Sequence, residues 1–336
     1  MNNKIGIHNG SIGFHPEWIK FCKDKNIAYK IVNAHSCNLI KELEDCSAFM
    51  WHFSQNDPKD IIIAKQIMFA LQHSGKAVFP DFYTMWHFDD KLGQKYLLES
   101  FDIPFVKSYC FYNKKEALQW IDSTSFPKVF KLRGGAGSAN VRLVRSINEA
   151  KALISKAFGS GFSNYSSFGL LKDKWRLYKL SKINFNTLLN SFLHLFIPPA
   201  YAKVMGRESG YVYFQDFISD NNFDIRVIVI RDKAFAIKRM VRKNDFRASG
   251  SGHILYEKEN FQLKTIEIAF NAARLLKSQC LAFDFVFENE KPLIVEISYG
   301  FAKYGYVDCT GYWDKDLNWY EGKFSPYGWM VESVLK

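Results

Sequence analysis

A mixed α/β chain is predicted, with a small parallel α/β layer first and hairpin-rich α+β structure after it. Three features predict this. From Lys4 to Pro80 short apolar runs alternate with stretches of helical periodicity, the signature of parallel strands joined by crossover helices. From Tyr211 to Ile297 runs of β-formers lie back to back around short polar turns, the signature of antiparallel hairpins. Between them, Phe130-Lys131-Leu132-Arg133-Gly134-Gly135-Ala136-Gly137-Ser138-Ala139-Asn140-Val141 joins two apolar runs through a glycine-rich loop.

In order, residues 4–8 read as a buried strand, Asn9 to His15 as a Gly/Ser loop, and Pro16 to Lys25 as a helix with proline in its first turn. Strands follow at Ala28 to Val32, Ala48 to Phe53 and Ala77 to Pro80, separated by helices at Leu39 to Asp45 and Asp60 to Ser74. His8, Ser11, His15, His52 and Ser54 fall at or after strand ends, where open α/β sheets bind ligands; as single residues they read equally as solvated loop positions. Residues 89–101 form a helix capped by Asp89 or Asp90, with Leu92, Tyr96, Leu97 and Phe101 as its apolar face. A strand at Val106 to Phe111, a helix at Lys114 to Ile121 and a helix at Ile147 to Phe158 complete the middle of the chain.

The Lys131 stretch is expected to be a hairpin loop. Its glycines allow backbone N–H groups to approach a ligand and its lysine supplies a point charge, which suits a polyphosphate. It lacks the Lys-Ser/Thr ending of a Walker A loop. A glycine-rich hairpin without a ligand is the alternative.

Residues 159–210 break the pattern with a basic segment carrying Lys172, Lys174, Arg176, Lys179, Lys182, Lys203 and Arg207 and an apolar run from Leu188 to Ile197. Such a segment suits either an anionic membrane surface or a helical layer packed on the protein. Beyond it, Tyr211 to Ile218 alternates, Asp224 to Ile230 and Ala234 to Arg239 flank a turn at Arg231-Asp232-Lys233, and Phe246 to Gly252 is a Gly/Ser loop. Gln262 to Lys277 is an amphipathic helix, and a second hairpin joins Ala282–Phe287 to Pro292–Ile297.

The 336 residues, 48% of them hydrophobic, suffice for a large core and two or three sub-domains. No apolar run is long enough to span a bilayer and the first residues carry no signal-peptide pattern, so a cytoplasmic protein is expected. Six cysteines, at 22, 37, 46, 110, 280 and 309, form no Cys-x-x-Cys pair and signal neither zinc nor a disulfide framework. A net charge of +11 favours polyanionic partners, but no nucleic-acid-binding module is recognisable.

Two acids sit inside apolar strands: Asp284 in Phe-Asp-Phe-Val-Phe and Glu296 in Val-Glu-Ile. Carboxylates placed there need a positive charge between them. Mg2+ carrying a nucleotide phosphate would supply it; an Arg or Lys counter-ion is the alternative.

The blocks now in hand resemble the ATP-grasp ligases, within them the ribosomal-protein glutamate ligases and related amino-acid ligases. The resemblance rests on Asp90-Lys91 with Ile103-Pro104; Lys131 with Gly134, Gly135, Gly137 and Ser138; Gln215-Asp216-Phe217-Ile218 with Asp224-Ile225-Arg226; Lys238-Arg239 with Asp245-Phe246-Arg247; and Asp284 with Glu296. It implies an ATP-grasp fold with a Rossmann-like N-terminal domain (1–88), a small subdomain (89–214, carrying the insertion 159–210) and a large subdomain with the C-terminal tail (215–336). Lys91 and Lys131 are then the phosphate-contacting lysines, Gln215 to Ile218 the adenine-reading hinge, and Asp224 the ribose acceptor. Arg226, Lys238, Arg242 and Arg247 stabilise charge on phosphates or on an acyl-phosphate. Asp284 and Glu296 hold Mg2+, with two ions implied and Mn2+ as a substitute. Where these enzymes have Glu-x-Asn this chain has Glu296-Ile297-Ser298, so Ser298 is the third ligand or marks a degraded site.

The implied activity is carboxylate activation as an acyl-phosphate and transfer to an amine; a non-catalytic ATP-binding protein is the alternative. The aromatic segment after Glu296 suits a sugar, or a loop pinned to the core. Residues Trp319 to Trp329 resemble the tails of ATP-grasp proteins associated with bacterial surface polysaccharides. A glycan carboxylate or amine is therefore an expected substrate beside small molecules, with peripheral contact to the inner membrane face through 172–207.

Overall fold

The computed structural model describes residues 4–134, 141–163, 200–241 and 253–335, with residues 175, 178, 184, 186 and 189. They divide into two units, one of Met1–Ser54, Ile63–Val106 and Ile218–Lys336, the other of Gln55–Ile62 and Lys107–Phe217.

The first unit holds two sheets. Strands β1 (Ile5–His8), β2 (Tyr29–Val32), β3 (Ala48–Met50) and β4 (Ala77–Phe79) form a parallel sheet in the order β2-β1-β3-β4. β1 and β3 are buried along their whole length, which is why they read as unbroken apolar runs. β3 is shorter than its apolar run: pairing stops at Met50, and the Trp51 N–H closes the ladder on Phe79 O.

The larger sheet of this unit is antiparallel. It comprises β11 (Phe223–Ile230), β12 (Lys233–Met240), β13 (Ile254–Leu255), β14 (Cys280–Glu288), β15 (Lys291–Ser298), β16 (Gly311–Asp314) and β17 (Trp319–Glu321), ordered β15-β14-β11-β12-β16-β17 with β13 on β12. One face packs Ile225, Val227, Phe283 and Phe285 with Ile266, Ala269 and Ala272 of the helix Leu263–Leu275. The other packs Ile228, Ile230, Phe235 and Ala282 with Phe301, Tyr306 and the helix Pro326–Glu332. The β11–β12 and β14–β15 loops are each two residues long. Ile230 pairs with Lys233 across Arg231-Asp232, and Glu288 with Lys291 across Asn289-Glu290, whose φ values of 48° and 66° suit the tight turn that matches strand twist. The expected loops were longer by one and two residues or more, so the strands run closer to their turns than the sequence suggests.

The helix Lys91–Ser100 corrects an expectation. Its Asp90 cap accepts the Gly93 N–H, as predicted, but Tyr96 and Phe101 are exposed, and the buried residues are Lys91, Gln94, Lys95 and Leu98. Leu97 packs against the core while Tyr96 and Phe101 face solvent, because the inward face also meets polar backbone: Gln94 accepts the Ile297 N–H at 3.4 Å and donates to His87 O at 3.0 Å.

In the second unit β5 (Ser108–Phe111), β6 (Lys128–Lys131), β7 (Val141–Val144) and β10 (Val212–Asp216) form an antiparallel sheet ordered β5-β10-β6-β7. Helices Lys114–Ser123 and Ile147–Ala157 pack Ala117, Ile121, Ala150 and Ile154 against Phe130 and Phe214. The alternation expected over Tyr211 to Ile218 is found in the faces along β10, Val212 and Phe214 joining the core and Tyr213 and Gln215 a polar network. Val212 to Gln215 is buried on both faces, because β10 is an interior strand with apolar packing on one side and a buried polar network on the other. The strands on either side of the glycine-rich stretch pair antiparallel, Lys131 opposite Val141, as a hairpin requires; Gly135, Gly137 and Ser138 lie outside the described residues.

The insertion leaves and returns at one place, where β8 (Phe162–Ser163) pairs with β9 (Arg207–Glu208). Gly161 there has φ 66°, and a Cβ would stand 2.8 Å from Glu208 O, so only glycine fits. Most of 164–199, including the Leu188 to Ile197 run apart from Leu189, lies outside the described residues. Among the described residues no helix is long and apolar enough to cross a membrane.

Candidate active site

The two strand acids of the first unit are brought together by a bulge. From the Asn289-Glu290 turn the pairing runs in step to Phe285 and Ile294, then shifts so that Asp284 faces Glu296 and Ala282 faces Ser298. An unbroken ladder would set Val295 opposite Asp284, and the extra residue re-aims Glu296 onto the face of Asp284.

That face carries a row of paired charges. On β11, Asp224 and Arg226 are two residues apart and share it; Arg239 faces Asp224 from β12, and Asp284 faces Arg226 from β14. Arg226 donates to both Asp284 oxygens at 2.5 and 2.6 Å. Arg239 donates to both Asp224 oxygens at 2.6 Å and to Asp284 at 2.9 Å. Lys91, buried, reaches Glu296 at 3.2 Å from the neighbouring helix. Burial alone would raise the Asp284 pKa, but the Arg226 and Arg239 guanidiniums outweigh it and hold the carboxyl well below the usual range. At Asp224 burial dominates and pushes the carboxyl up to about 6 against the pull of Arg239. Asp224 is thus the weaker acid of the two that share Arg239. Burial opposes the Lys91 charge as well, and the Glu296 and Asp89 carboxylates more than restore it, raising its pKa.

Asp284, ionised, and Glu296, facing it across one strand pair, are hard oxygen donors of the kind Mg2+ takes. The donor chemistry fits the ion, which would compete there with the guanidiniums and Lys91. Ser298 is otherwise engaged: its hydroxyl donates to Gly300 O at 3.1 Å and accepts the Gly300 N–H at 3.2 Å.

In the second unit the face of the sheet away from its helices is polar. Lys131 donates to Gln215 Oε1 at 2.6 Å, Gln215 donates to Ser108 Oγ at 3.1 Å, and Tyr213 donates to the same oxygen at 2.8 Å. All four side chains are buried. Asp216 pairs with Lys128 at 2.6 Å on the opposite face. Gly134, at the start of the loop, is buried. Phe217 ends this unit and Ile218 begins the next stretch of the first, so the predicted hinge segment is where the chain passes from one to the other. Beyond it Asn221 donates to Ile218 O at 3.3 Å.

Of the basic residues singled out in the sequence, the structure brings Arg226 to Asp284 and does not bring Lys238 there. Lys238 pairs with Ile225, on the opposite face of β12 from Arg239, and its ammonium sits 3.9 Å over the Phe223 ring. Arg242 and Arg247 lie outside the described residues. Arg239 is the cation that sequence reasoning missed as a site residue, along with Lys128 and the buried Tyr306. The choice turns on loop length: counting outward from the two-residue turn pairs Asp224 with Arg239 and leaves Lys238 opposite Ile225. Arg239→Met is therefore expected to cost about 3 kcal/mol by stranding Asp224, and Lys238→Met about 1 kcal/mol or less. Urea unfolding of the two variants checks this.

Residues 201–304 match the family of the RimK-like ATP-grasp domain. No curated protein sequence matches the chain significantly. Among solved structures, the chain is similar to a RimK domain ATP-grasp protein from Sphaerobacter thermophilus, with 13% identity and a TM-score of 0.57 over 99% of this chain and 100% of that one. It is similar to N5-carboxyaminoimidazole ribonucleotide synthetase from Thermotoga maritima, with 13% identity and a TM-score of 0.59 over 99% and 75%. It is also similar to D-alanine–D-alanine ligase from Bacillus anthracis, with 13% identity and a TM-score of 0.53 over 88% and 86%. The chain has the ATP-grasp fold.

Proposed function

We propose that this chain, which carries a RimK-like ATP-grasp domain, is an ATP-dependent ligase that activates a carboxylate as an acyl-phosphate and joins it to an amine. The observation that carries the reading is the bulge that turns Glu296 to face Asp284, beside a row of guanidinium groups. The two facing carboxylates are the donor set that Mg2+ carrying a polyphosphate takes. The neighbours support the cofactor: the Bacillus anthracis ligase was also solved with ATP, and the biotin carboxylase domain of a Hydrogenobacter thermophilus 2-oxoglutarate carboxylase with MgADP.

In the proposed reaction a substrate carboxylate oxygen bonds to the γ-phosphorus of ATP and ADP leaves. The amine nitrogen then attacks the acyl carbon, phosphate departs with the bridging oxygen, and the amine loses a proton. Bound Mg2+ supplies charge neutralisation at the phosphates. No protein nucleophile is required, so the chain's residues act by position and charge. Asp284 and Glu296 would hold the ion. Arg226 and Arg239 offer forked donors to transferring phosphoryl or acyl-phosphate oxygens. Lys131 and Gln215 hold nucleotide phosphate and base, and Lys91 keeps Glu296 oriented. Arg242 and Arg247 are proposed in the same charge-stabilising role from the sequence alone.

The finer reading, an amino acid joined to a uronic-acid-containing surface glycan with residues 172–207 against an anionic membrane, also rests on the sequence alone. ADP release measured with a panel of carboxylates and amines tests the proposal. Release is expected to require Mg2+, one carboxylate and one amine together. ATP binding with no turnover on any pair would favour a non-catalytic nucleotide-binding protein.

A further inference from the structure

We infer that Tyr211 is a positioning residue for the nucleotide site: oriented by the buried Glu208, its hydroxyl holds the Arg133 N–H and so sets where the glycine-rich loop leaves its strand. The inference rests on the ligase reading above, through the nucleotide role of Lys131.

β10 pairs with β6 as far as Tyr213 with Lys131. Carried two residues on, the same register would set Tyr211 against Arg133, but there the Arg133 N–H goes to the Tyr211 hydroxyl at 2.6 Å in place of a backbone carbonyl. The phenol thus closes the ladder where β6 turns away into the buried Gly134.

The direction of each bond is fixed. A phenol has one proton to give and accepts through its oxygen. The proton goes to Glu208 Oε2 at 2.7 Å, which leaves the oxygen's lone pairs for the Arg133 N–H. Burial and the Glu208 carboxylate both raise the Tyr211 pKa, so the phenol keeps that proton. Both side chains are buried, and the exposed Arg133 guanidinium adds its charge with Nε 3.9 Å from the same carboxylate oxygen.

Glu208 is held in turn by the root of the insertion. It lies in β9 opposite Phe162. Beside it, Arg207 donates to Ser160 O at 2.6 Å and to Gly161 O at 2.8 Å, and the Gly210 N–H reaches Ala157 O at 3.0 Å. The first N–H beyond Leu132 is therefore tied, through two buried side chains, to the place where residues 164–206 branch from the second unit. Losing the tie would leave Lys131 in its ladder and free the backbone after it. The loss should fall on the outer phosphates of a nucleotide, which the ligase reading gives to Lys131 and the glycines, and spare its base.

Displacement of a fluorescent ATP analogue from the full chain by ATP and by AMP, with urea unfolding of each variant, tests this. Tyr211→Phe is expected to weaken ATP about tenfold and AMP by less than about twofold. Glu208→Gln, whose amide oxygen still accepts the phenol proton, should keep ATP within about threefold of wild type. Because Tyr211→Phe strands a buried carboxylate, the double variant Tyr211→Phe/Glu208→Leu removes the charge as well and should lose ATP affinity as Tyr211→Phe does. Unchanged ATP affinity in Tyr211→Phe or in the double variant, equal losses for ATP and AMP, or a Glu208→Gln variant no better than Tyr211→Phe would overturn the inference while leaving the ligase reading in place. A wild-type chain that binds no ATP would overturn both.

Discussion

Asp284→Asn is expected to lower turnover on the order of 10³-fold and to destabilise the protein by about 3 kcal/mol. Both effects come from one carboxylate. It accepts hydrogen bonds from Arg226 and Arg239, and removing its charge leaves two largely buried guanidiniums without their shared anion. Glu296→Gln separates the effects. Glu296 is the more exposed acid and has Lys91 as its ion-pair partner, at 3.2 Å, so a comparable loss of turnover should come with a much smaller loss of stability. Denaturant unfolding and Mg2+-dependent ADP release on both variants check this. If Asp284→Asn keeps wild-type turnover, the carboxylate is only a counter-ion for the two arginines.

Lys131→Met is expected to weaken ATP binding on the order of 10²-fold, the value of one charge-assisted hydrogen bond to a phosphate. The lysine is buried and already oriented by Gln215, itself fixed through Ser108, so its ammonium loses little freedom when a ligand arrives. Lys151, a surface lysine 3.8 Å from Asp122, should tolerate the same change. Calorimetric titration with ATP distinguishes them, and equal affinities would remove Lys131 from the nucleotide site.

The parallel layer, the two large hairpins and the two strand acids were legible because each rests on a local signal: an unbroken apolar run, a polar turn between β-formers, a charge among Phe and Val residues. What was not legible depends on register. A three-residue turn over Arg231-Asp232-Lys233 would place Lys238 across from Arg226, whereas the two-residue turn found places Arg239 across from Asp224. One residue exchanges the buried cation with the one over Phe223. The bulge at Val295 is equally silent in the sequence, and without it Glu296 would turn away from Asp284.

The helix Lys91–Ser100 misled for a different reason. Leu92, Tyr96, Leu97 and Phe101 make a persuasive stripe, but burial there is decided by partners for Lys91 and Gln94, one a carboxylate and the other the backbone beside it. A helix that turns its polar side inward is the kind of local conflict expected beside a functional site. The tie between Ser298 and Gly300 was likewise invisible, since nothing in the sequence says where the hydroxyl of a serine after a strand acid will bond.

Isotope transfer tests the ligase reading most directly. With a carboxylate substrate labelled with 18O in both oxygens, the account predicts one labelled oxygen in the released phosphate for each amide formed, because the oxygen that bonds to the γ-phosphorus leaves with it. Unlabelled phosphate alongside amide formation, or release of AMP in place of ADP, would contradict it.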